Sequence, residues 1–479
     1  MNPVELTAVQ ALAEMSAGRM SALDYAWALI DRHRQAGGLN ALIGFDETRF
    51  VERMRAADAK RAAGAALGPL HGLPVVIKDN IDVVGFPTTG NTPTLSYNLP
   101  RRHGPVIKAL EDAGAVVMAK ANLHELAMGP GIGRPPEGEE TQYGQFGPVF
   151  NPHDRRVTAG GSSSGSGAAI SAGIAPAGLG TDTGGSVRKP ASFCGIVGFR
   201  PSTGRYSQKG IIPISQSRDT IGPMARSAGD IALLDACILG APEPPAAARL
   251  DGLRLGVPRD YFFSGLDGKV AAVIEGELDR LAEQGVALIE VHIPGLEDLM
   301  RRPRTSVAMY ECRRNLARYL AGTETGVTLT RLIAGTRTTG LGDHLRALTA
   351  GTRVPEADYR AALVEDLPAI RAALNDLFET RRLAALVAPS CLVPPIERDG
   401  DFTIQRKGAT LGRFAAEGHN SGLSSVAGLP SITLPAGQTA GGLPIGISFD
   451  GPPGADRALL GIARAYEAIR PPPPGPTLV

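Results

Sequence analysis

A stretch of 25 consecutive residues without a charge, Val157 to Thr181, constrains this chain more than any other segment. It is long enough to cross a bilayer, but seven of its residues are glycine and five are serine, so it lacks the hydrophobicity of a membrane span. A flexible linker is the next alternative. However, core-like residues at 168–172 and 174–179 directly follow the first glycines. Small residues inside a core indicate that the backbone and a ligand approach closely, which favours a functional site over a linker.

The overall composition excludes several classes of protein. Of the 479 residues, 43% are hydrophobic and 20% are charged, which is enough apolar surface for an extensive core and excludes global disorder. The net charge is only +1, so the chain has no overall field to attract a polyanion or an anionic membrane. We therefore expect neither nucleic acids nor membranes as partners.

Cysteine usage and the N-terminal residues bear on the compartment. The 4 cysteines are scattered without a CxxC pair, which argues against a disulfide scaffold or a zinc ribbon and favours a reducing compartment. Glu5 and Glu14 interrupt the first twenty residues, where a secretory signal has a basic start and an unbroken apolar run. We expect a cytoplasmic protein.

The motifs of metal and nucleotide sites are missing from the sequence. No His, Asp or Glu cluster has the spacing of metal ligands. Neither GxxxxGK[ST] nor GxGxxG with a suitably placed acidic residue occurs. We therefore expect no metal and no cofactor.

Strand and helix patterns alternate through most of the chain. The apolar runs 73–77 and 115–118 predict two strands with a helix over 106–113 between them. Further helices are predicted over 7–15, 47–63, 166–172, 228–239, 270–283 and 457–469, and further strands over 174–179, 253–257, 286–293, 383–387 and 445–449. This alternation is typical of an α/β layered domain. Residues 300–382 are richer in Ala, Leu and Arg, which predicts an inserted helical layer.

The serine run contains a literal match to a nucleophile elbow. Residues 161–165 fit GxSxG with Ser163 at the centre, but such a match is easily produced in a Gly/Ser-rich run. The α/β-hydrolase alternative also needs a late histidine, for which His344 or His419 could serve, and an oxyanion loop of the HGGG type. The sequence does not supply that loop, so this alternative is disfavoured.

A lysine is the best candidate for a base. Lys78 directly follows the apolar run Val75 to Ile77, so its side chain begins where burial is expected. Desolvation penalises the ammonium form, and a buried lysine can lose its proton near neutral pH. A lysine at a strand end is more often a surface residue whose stem alone is buried, but the Ser/Gly run elsewhere in the chain favours the catalytic interpretation.

Three segments together resemble the amidase signature family of amide hydrolases. They are VVIKDN around Lys78, GGSSSGS over 160–166 and TDTGGSVRKPA over 181–191. Similarity continues to Ser227 and, more weakly, over 425–449, so recognisable motifs cover about half of the chain. The resemblance implies an α/β fold with a mixed central β-sheet covered by helices on both faces.

The same resemblance implies a Ser–cisSer–Lys triad. The family's lysine, first serine and second serine fall here on Lys78, Ser162 and Ser186, and the Gly161–Ser162 peptide is expected to be cis. Ser186 would attack an amide carbonyl and form an acyl-enzyme, while Ser162 relays the proton to Lys78, because a hydroxyl donates and accepts at once.

The residues around the second serine have implied roles as well. Backbone N–H groups of Thr183, Gly184, Gly185 and Ser186 are the expected oxyanion hole. Asp182 and Arg188 are interpreted mainly as an ion pair that holds this turn, with recognition of substrate charge as the lesser alternative. Ser163 and its neighbour Ser164 are expected to donate supporting hydrogen bonds.

The substrate is less well defined. The passage over 204–227 most resembles the mandelamide and indoleacetamide hydrolase branch, which implies small aryl or arylalkyl amides, and aryl carbamates (urethanes) or esters stay open. Met128, Tyr143 and Phe146 either line an apolar pocket or anchor the loop over 127–147, which departs from the family pattern by its length. The alternative function is that of the A subunit of a glutamine-dependent transfer-RNA amidotransferase, which works within a complex.

The expected organisation is a single amidase domain over 1–479. Within it we expect a catalytic signature core over 70–230, a variable helical layer that forms the substrate pocket over 300–410, and a Pro-rich tail over 471–479. The expected partner is a small amide or carbamate, and the expected state is a monomer or homodimer.

Overall fold

The computed structural model describes residues 2–129, 142–241, 243–399, 401–470 and 474–477. Its strands are β1 Leu42–Phe45, β2 Pro74–Lys78, β3 Val116–Ala121, β4 Ala177–Asp182, β5 Val197–Arg200, β6 Thr220–Ala225, β7 Arg254–Val257, β8 Ala287–Glu290, β9 Ala385–Pro389, β10 Thr403–Arg406, β11 Ala409–Gly412, β12 Ser431–Gln438 and β13 Pro444–Asp450. Its α-helices are α1 Ala8–Ser16, α2 Ala22–Gln35, α3 Glu47–Ala62, α4 Pro105–Asp112, α5 Ser164–Ser171, α6 Arg188–Cys194, α7 Ala228–Leu239, α8 Arg259–Phe262, α9 Gly268–Glu283, α10 Leu296–Arg301, α11 Pro303–Ala321, α12 Leu329–Ala334, α13 Leu341–Thr349, α14 Glu356–Ala361, α15 Leu367–Thr380, α16 Arg413–Gly418, α17 Gly422–Ala427 and α18 Asp456–Ala468.

The central feature is an 11-stranded mixed sheet with the order β1-β3-β2-β4-β6-β5-β12-β13-β9-β7-β8. Strand β2 runs parallel to both β3 and β4, and β7 runs parallel to β8 and β9, while the other neighbours are antiparallel. A separate hairpin joins β10 and β11. The predicted α/β class with a mixed sheet is confirmed.

Both faces of the sheet are buried, as alternate residues of β2 show. Val75 and Ile77 belong to an apolar cluster with residues of α4, α7, α9 and α18, whereas Val76 belongs to a second cluster with residues of α2, α3 and α5. Successive side chains of a strand point to opposite faces, so helices cover the sheet on both sides.

Glycines let α5 lie against β4 and its neighbours. A Cβ at Gly178 or Gly180 would come within 2.5 Å of the Val76 carbonyl oxygen or of Ser163 Oγ, respectively. A Cβ at Gly165 would come within 2.4 Å of the carbonyl oxygen of Asn122. The small residues of the uncharged stretch therefore serve close packing within the protein, and the linker alternative is wrong.

The observed bounds depart from the predicted ones where local backbone chemistry intervenes. Strand β4 begins at Ala177 rather than at 174, because Pro176 offers no N–H to the sheet and Gly173 turns the chain with φ +76°. Strands β5 and β6 were not predicted from the sequence. One has only four residues and the other contains Gly222 and Pro223, so neither shows the β-branched run of a typical strand.

The segment over 300–410 is helical only in its first part. Helices α11 to α15 occupy it as far as Thr380, after which β9 returns to the central sheet and the β10–β11 hairpin follows. Most of the loop over 127–147 and part of the tail over 471–479 lie outside the described residues. Among the helices that are described, none combines the length and the hydrophobicity needed to cross a bilayer.

Candidate active site

The sheet places Lys78 beside the end of β4. Lys78 is the last residue of β2, and Ile77 pairs with Leu179 in the parallel register of β2 and β4. The Lys78 ammonium, which is 0% exposed, donates to Ser162 Oγ at 2.8 Å and to Thr181 Oγ1 at 2.8 Å. Burial lowers the pKa of Lys78 to about 7, although Asp182 and Asp219 oppose that shift electrostatically. A lysine in this state can accept a proton at neutral pH.

Ser162 lies in the loop that leads into α5. The Gly161–Ser162 peptide is cis, as the family resemblance implies. Ser162 is buried, and its carbonyl oxygen accepts from the His124 N–H at 3.2 Å. The next residue, Ser163, donates its backbone N–H to the Ser186 carbonyl oxygen at 3.1 Å. This hydrogen bond joins the two serine segments, which are 24 residues apart in the sequence.

The segment of Ser162 is connected to Ser186 through the Ser186 backbone carbonyl and not through the Ser186 hydroxyl. Ser186 lies in the short turn between β4 and α6 and is partly exposed, unlike the buried Ser162. Within the described part of the chain, the Ser186 hydroxyl makes no hydrogen bond. The structure thus joins Lys78 to Ser162 directly, and it leaves the oxygen of Ser186 available to an incoming molecule.

Asp182, the last residue of β4, organises the turn that carries Ser186. Its carboxylate accepts from the N–H groups of Gly185 at 2.8 Å and Val187 at 3.3 Å, and from the guanidinium groups of Arg188 at 3.1 Å and Arg200 at 3.0 Å. Burial opposes its ionisation, but the two guanidinium groups outweigh burial and hold the pKa of Asp182 well below its usual range. The predicted ion pair between Asp182 and Arg188 is present and fully buried.

The backbone donors of this turn divide into two kinds. The Gly185 N–H, at a residue with φ +101°, is already donated to Asp182. Over the described residues, the N–H groups of Thr183, Gly184 and Ser186 have no acceptor. Gly185 therefore differs from the three other predicted oxyanion donors, because its N–H stabilises the turn.

Ser163 has a supporting contact and not the exposed position of an elbow nucleophile. It is 0% exposed, and its hydroxyl donates to the Thr181 carbonyl oxygen at 3.3 Å. The late histidines of the α/β-hydrolase alternative lie elsewhere: His419 Nδ1 faces the Arg304 guanidinium at 3.1 Å, and His344 Nε2 faces Met309 Sδ at 3.3 Å. The elbow alternative is wrong.

Several residues around the site were not singled out from the sequence. Thr181 is a second partner of Lys78 and also accepts from the Asn80 side-chain amide at 3.0 Å. Three serines bind Arg188. Its guanidinium donates to Ser424 Oγ at 2.7 Å, Ser425 Oγ at 2.8 Å and Ser431 Oγ at 3.1 Å. The motif similarity over 425–449 was the available signal, but it did not assign a partner to any of these hydroxyls.

The three predicted pocket residues have different surroundings. Met128 is buried in an apolar cluster that includes Leu332 and Ile333 of the helical segment. Tyr143 Oη donates to the Arg398 carbonyl oxygen at 3.3 Å and to Asp399 Oδ1 at 3.0 Å. Phe146 is 36% exposed, and its backbone binds Asn40 and Asn91. Contacts of this kind fit the anchoring of a loop by Tyr143 and Phe146.

The residues that the structure describes include no group of three or more His, Cys, Asp or Glu side chains arranged to hold a metal ion.

The chain is similar over nearly its whole length to known amide hydrolases. The family described as Amidase matches residues 27–460. Mandelamide hydrolase of Pseudomonas putida is 38% identical, covering 99% of this chain and 93% of its own length. Indoleacetamide hydrolase of Agrobacterium vitis is 36% identical, with 96% of each chain covered. The A subunit of the glutamyl-tRNA(Gln) amidotransferase of Deinococcus radiodurans is 35% identical, with 97% of each chain covered.

Solved structures show the same fold. The native peptide amidase from Stenotrophomonas maltophilia has a TM-score of 0.79 at 29% identity, with 99% of each chain covered. A crystal structure described as amidase has a TM-score of 0.82 at 30% identity, covering 97% of this chain and 99% of the other. The match over residues 27–460 and the relatives at 35–38% identity show that this chain belongs to the amidase family.

Proposed function

We propose that this protein hydrolyses the C–N bond of small aryl or arylalkyl amides through an acyl-enzyme on Ser186. The observation that carries the proposal is the contact of 2.8 Å between the buried Lys78 amine and Ser162 Oγ, next to the turn that bears Ser186. Similarity to enzymes named mandelamide hydrolase and indoleacetamide hydrolase supports the aryl class of substrate.

In the proposed first step, Ser186 Oγ attacks the carbonyl carbon of the amide. The hydroxyl proton of Ser186 passes to Ser162, and Ser162 gives its own proton to neutral Lys78. Protonated Lys78 returns a proton along the same path to the amide nitrogen, the C–N bond breaks, and the amine leaves. Water then attacks the ester, with Lys78 again accepting a proton through Ser162. The C–O bond to Ser186 breaks, the Ser186 oxygen takes this proton back along the same path, and the carboxylic acid is released.

The tetrahedral oxygen develops a negative charge that needs hydrogen-bond donors. The unoccupied N–H groups of Thr183, Gly184 and Ser186 are suited to this role, since they need not break an existing hydrogen bond first. Loss of one such donor typically lowers the rate by about 10²–10³-fold. Asp182 acts as a positioning residue, because it holds the Gly185 N–H and so fixes the turn.

We retain one amidase domain, with Met128 beside the acyl or aryl pocket and the helical segment after 300 as part of the substrate pocket. The cytoplasm remains the predicted location, and a monomer or homodimer the predicted state. As the substrate, a small amide is favoured over a carbamate because both hydrolases named above are named for amides.

The test is a panel of anilides, primary arylalkyl amides, esters and carbamates offered to the purified chain. We expect hydrolysis of at least one aryl amide, a loss of at least about 10³-fold in Ser186→Ala with an unchanged melting temperature, and a fluorophosphonate adduct on Ser186. The expected supporting hydrogen bond of Ser164 is wrong, since its buried Oγ has no hydrogen-bond partner among the described residues. Ser164→Ala is therefore a matched control in the same serine run. An adduct on Ser163, or on no serine, would overturn the assignment.

The amidotransferase function remains the second candidate, since the A subunit of such an enzyme is 35% identical to this chain. That function predicts glutaminase activity, and it predicts partner proteins that purify with the chain. Hydrolysis of aryl amides by the isolated chain contradicts it, whereas glutaminase activity alone, in a complex, supports it and overturns the proposal above.

A further inference from the structure

Lys189 is a buried cation beside the candidate active site. It is the second residue of α6, three residues after Ser186, and its side chain is 3% exposed. Within the described part of the chain, its ammonium makes neither a hydrogen bond nor an ion pair. Its ammonium lies over the face of the Phe414 ring, 4.6 Å from the ring centre. A cation–π contact compensates only part of the cost of burying a charge.

The ammonium lies next to the turn that precedes Ser186. A Cβ at Gly185 would lie 3.3 Å from Lys189 Cγ, so the stem of the lysine runs along this turn. A Cβ at Gly418 would lie 3.8 Å from Lys189 Nζ and 3.9 Å from the Gly184 carbonyl oxygen. Lys189 therefore lies against the turn that carries the proposed oxyanion donors, on the side of the Gly184 carbonyl oxygen.

The side chains of His124 and Phe414 also lie close to Lys189. A Cβ at Gly129 would lie 3.3 Å from the His124 ring and 3.5 Å from the Phe414 ring. The His124 ring also covers Gly161, where a Cβ would come within 2.1 Å of it. Phe414 is 55% exposed, so this group of side chains opens to solvent at the aromatic ring. The buried ammonium thus contacts an aromatic ring that itself borders solvent.

The titratable side chains of His124, Lys78 and Glu417 interact electrostatically with Lys189. Burial, together with the charges of Lys189 and Lys78, lowers the pKa of His124 to about 3, so its ring is neutral at working pH. Lys78 must be neutral to act as a base. Glu417 is the acidic side chain nearby: its buried Oε1 has no hydrogen-bond partner within the described chain. Burial raises the pKa of Glu417, although Lys189 and Arg413 oppose the shift. Lys189 makes no ion pair with this carboxylate.

We propose that Lys189 binds a carboxylate of the substrate, so that the preferred substrates are amides that also carry a carboxylate group. This inference rests on the proposed amide hydrolysis and narrows its substrate class. A substrate carboxylate would supply the direct hydrogen-bond acceptor and contact ion pair that the buried ammonium does not obtain from Glu417. It would sit beside Phe414 and the turn before Ser186, which places the amide carbonyl of the same molecule near the serine.

The test compares matched pairs of substrates. One series consists of N-aryl monoamides of dicarboxylic acids with two to four methylenes, each paired with the alkanoic anilide of equal length. A second pair, 4-acetamidobenzoate and acetanilide, carries the charge on the amine side instead. We expect kcat/KM of the wild type to be at least about tenfold higher for the best carboxylate member than for its neutral partner, since hydrogen bonds between charged groups exceed neutral ones.

Variants attribute the preference to one side chain. In Lys189→Met, kcat/KM for the carboxylate substrate divided by kcat/KM for its neutral partner should fall to one or below, mainly through a higher KM for the carboxylate. Lys189→Arg should retain most of the preference for the carboxylate. Lys269→Met, at an exposed lysine, is the matched control and should leave both activities unchanged. A wild-type ratio near one in both series, or a ratio that survives in Lys189→Met, overturns the inference.

Binding separates this inference from the proposed reaction. In Ser186→Ala, calorimetric titration should show tighter binding of the carboxylate amide than of its neutral partner, and Ser186→Ala/Lys189→Met should lose the difference. If neither amide is hydrolysed but this difference is found, the proposed function fails while the carboxylate site stands. If neutral amides are hydrolysed and the two amides bind equally well, the proposed function stands while the carboxylate site is overturned.

Discussion

Lys78 and Lys120 are two buried lysines on neighbouring parallel strands, and they have opposite surroundings. Both are at most 1% exposed, and Lys120 pairs in register with Ile77, the residue before Lys78. The Lys120 ammonium forms an ion pair with Asp79 at 3.0 Å and donates to the Ile81 carbonyl oxygen at 2.7 Å. Among the described residues, the Lys78 ammonium has only hydroxyl and carbonyl partners.

The comparison shows that burial alone does not decide what a lysine does. Asp79 follows Lys78 directly in the sequence, yet its carboxylate pairs with Lys120 on the adjacent strand. Consecutive side chains leave an extended chain on opposite sides, so Asp79 turns away from its neighbour. Lys120 thereby belongs to a structural ion pair, whereas no carboxylate of the described residues forms an ion pair with Lys78, which is suited to exchange a proton.

The largest expected effect is on catalysis at Lys78. Lys78→Met removes the amine that takes the proton, so we expect kcat/KM for an aryl amide to fall by at least about 10³-fold while the protein stays folded. Steady-state kinetics and circular dichroism measure the two properties. Residual activity within tenfold of the wild type would contradict the assignment of Lys78 as the base.

The matching change at the other lysine acts on stability. Lys120→Met leaves Asp79 as an unpaired buried carboxylate, and removing one partner of a buried pair typically costs about 3–5 kcal/mol. Urea unfolding should show a loss of this order. The double variant Asp79→Asn/Lys120→Met should recover part of it, because the orphaned charge is then gone. If Lys120→Met and Lys78→Met lost stability equally, the comparison of the two lysines would fail.

A pH profile of activity tests whether Lys78 is the base. With a Lys78 pKa of about 7, the neutral fraction rises about tenfold from pH 6 to pH 8, and kcat/KM should rise with it. If the chemical step limits the rate throughout and kcat/KM is still constant over this interval, another group acts as the base.

The lowered pKa of Lys78 also changes how the stability of the protein depends on pH. Because the pKa of Lys78 is lowered in the folded state, the unfolded chain binds more protons between about pH 7 and the ordinary lysine value of 10.5. The wild type should therefore gain stability relative to Lys78→Met as the pH is raised through this interval. Denaturant titrations at pH 7 and pH 9.5 measure the difference, and a change of the opposite sign would contradict a lowered pKa.

The smallest expected effect concerns the second partner of Lys78. Thr181→Val removes the hydroxyl at 2.8 Å that accepts from the ammonium, so the charged form loses one stabilising contact. We expect the midpoint of the activity profile to move down by less than one pH unit. Thr181→Ser, which keeps the hydroxyl, should leave the midpoint in place. An upward movement in Thr181→Val would mean that the hydroxyl stabilises the neutral amine instead.

The motif residues near Lys78 and the serine runs could be located from the sequence because they are local. The fold class followed from alternating strand and helix patterns, and the approach of Lys78 to Ser162 followed from a family resemblance carried by short segments. Even here the local pattern misjudged strands β5 and β6, whose few residues, with Gly222 and Pro223 among them, resemble loops.

Contacts between distant segments could not be found in this way. Arg188 binds hydroxyls more than 230 residues further along the chain, and a guanidinium in a sequence does not show which of many serines will face it. The occupied N–H of Gly185 is likewise a property of how Asp182 folds back on the turn.

The sequence by itself determined the α/β architecture, the family and the residue types gathered around Ser162 and Ser186, because each depends on short runs with strong local preferences. Only the tertiary structure decided which buried lysine has a carboxylate partner, and that Lys189 has none among the described residues. The physical reason is that a pKa and a binding preference depend on distances of a few ångströms between side chains from separate strands and helices, and packing sets those distances.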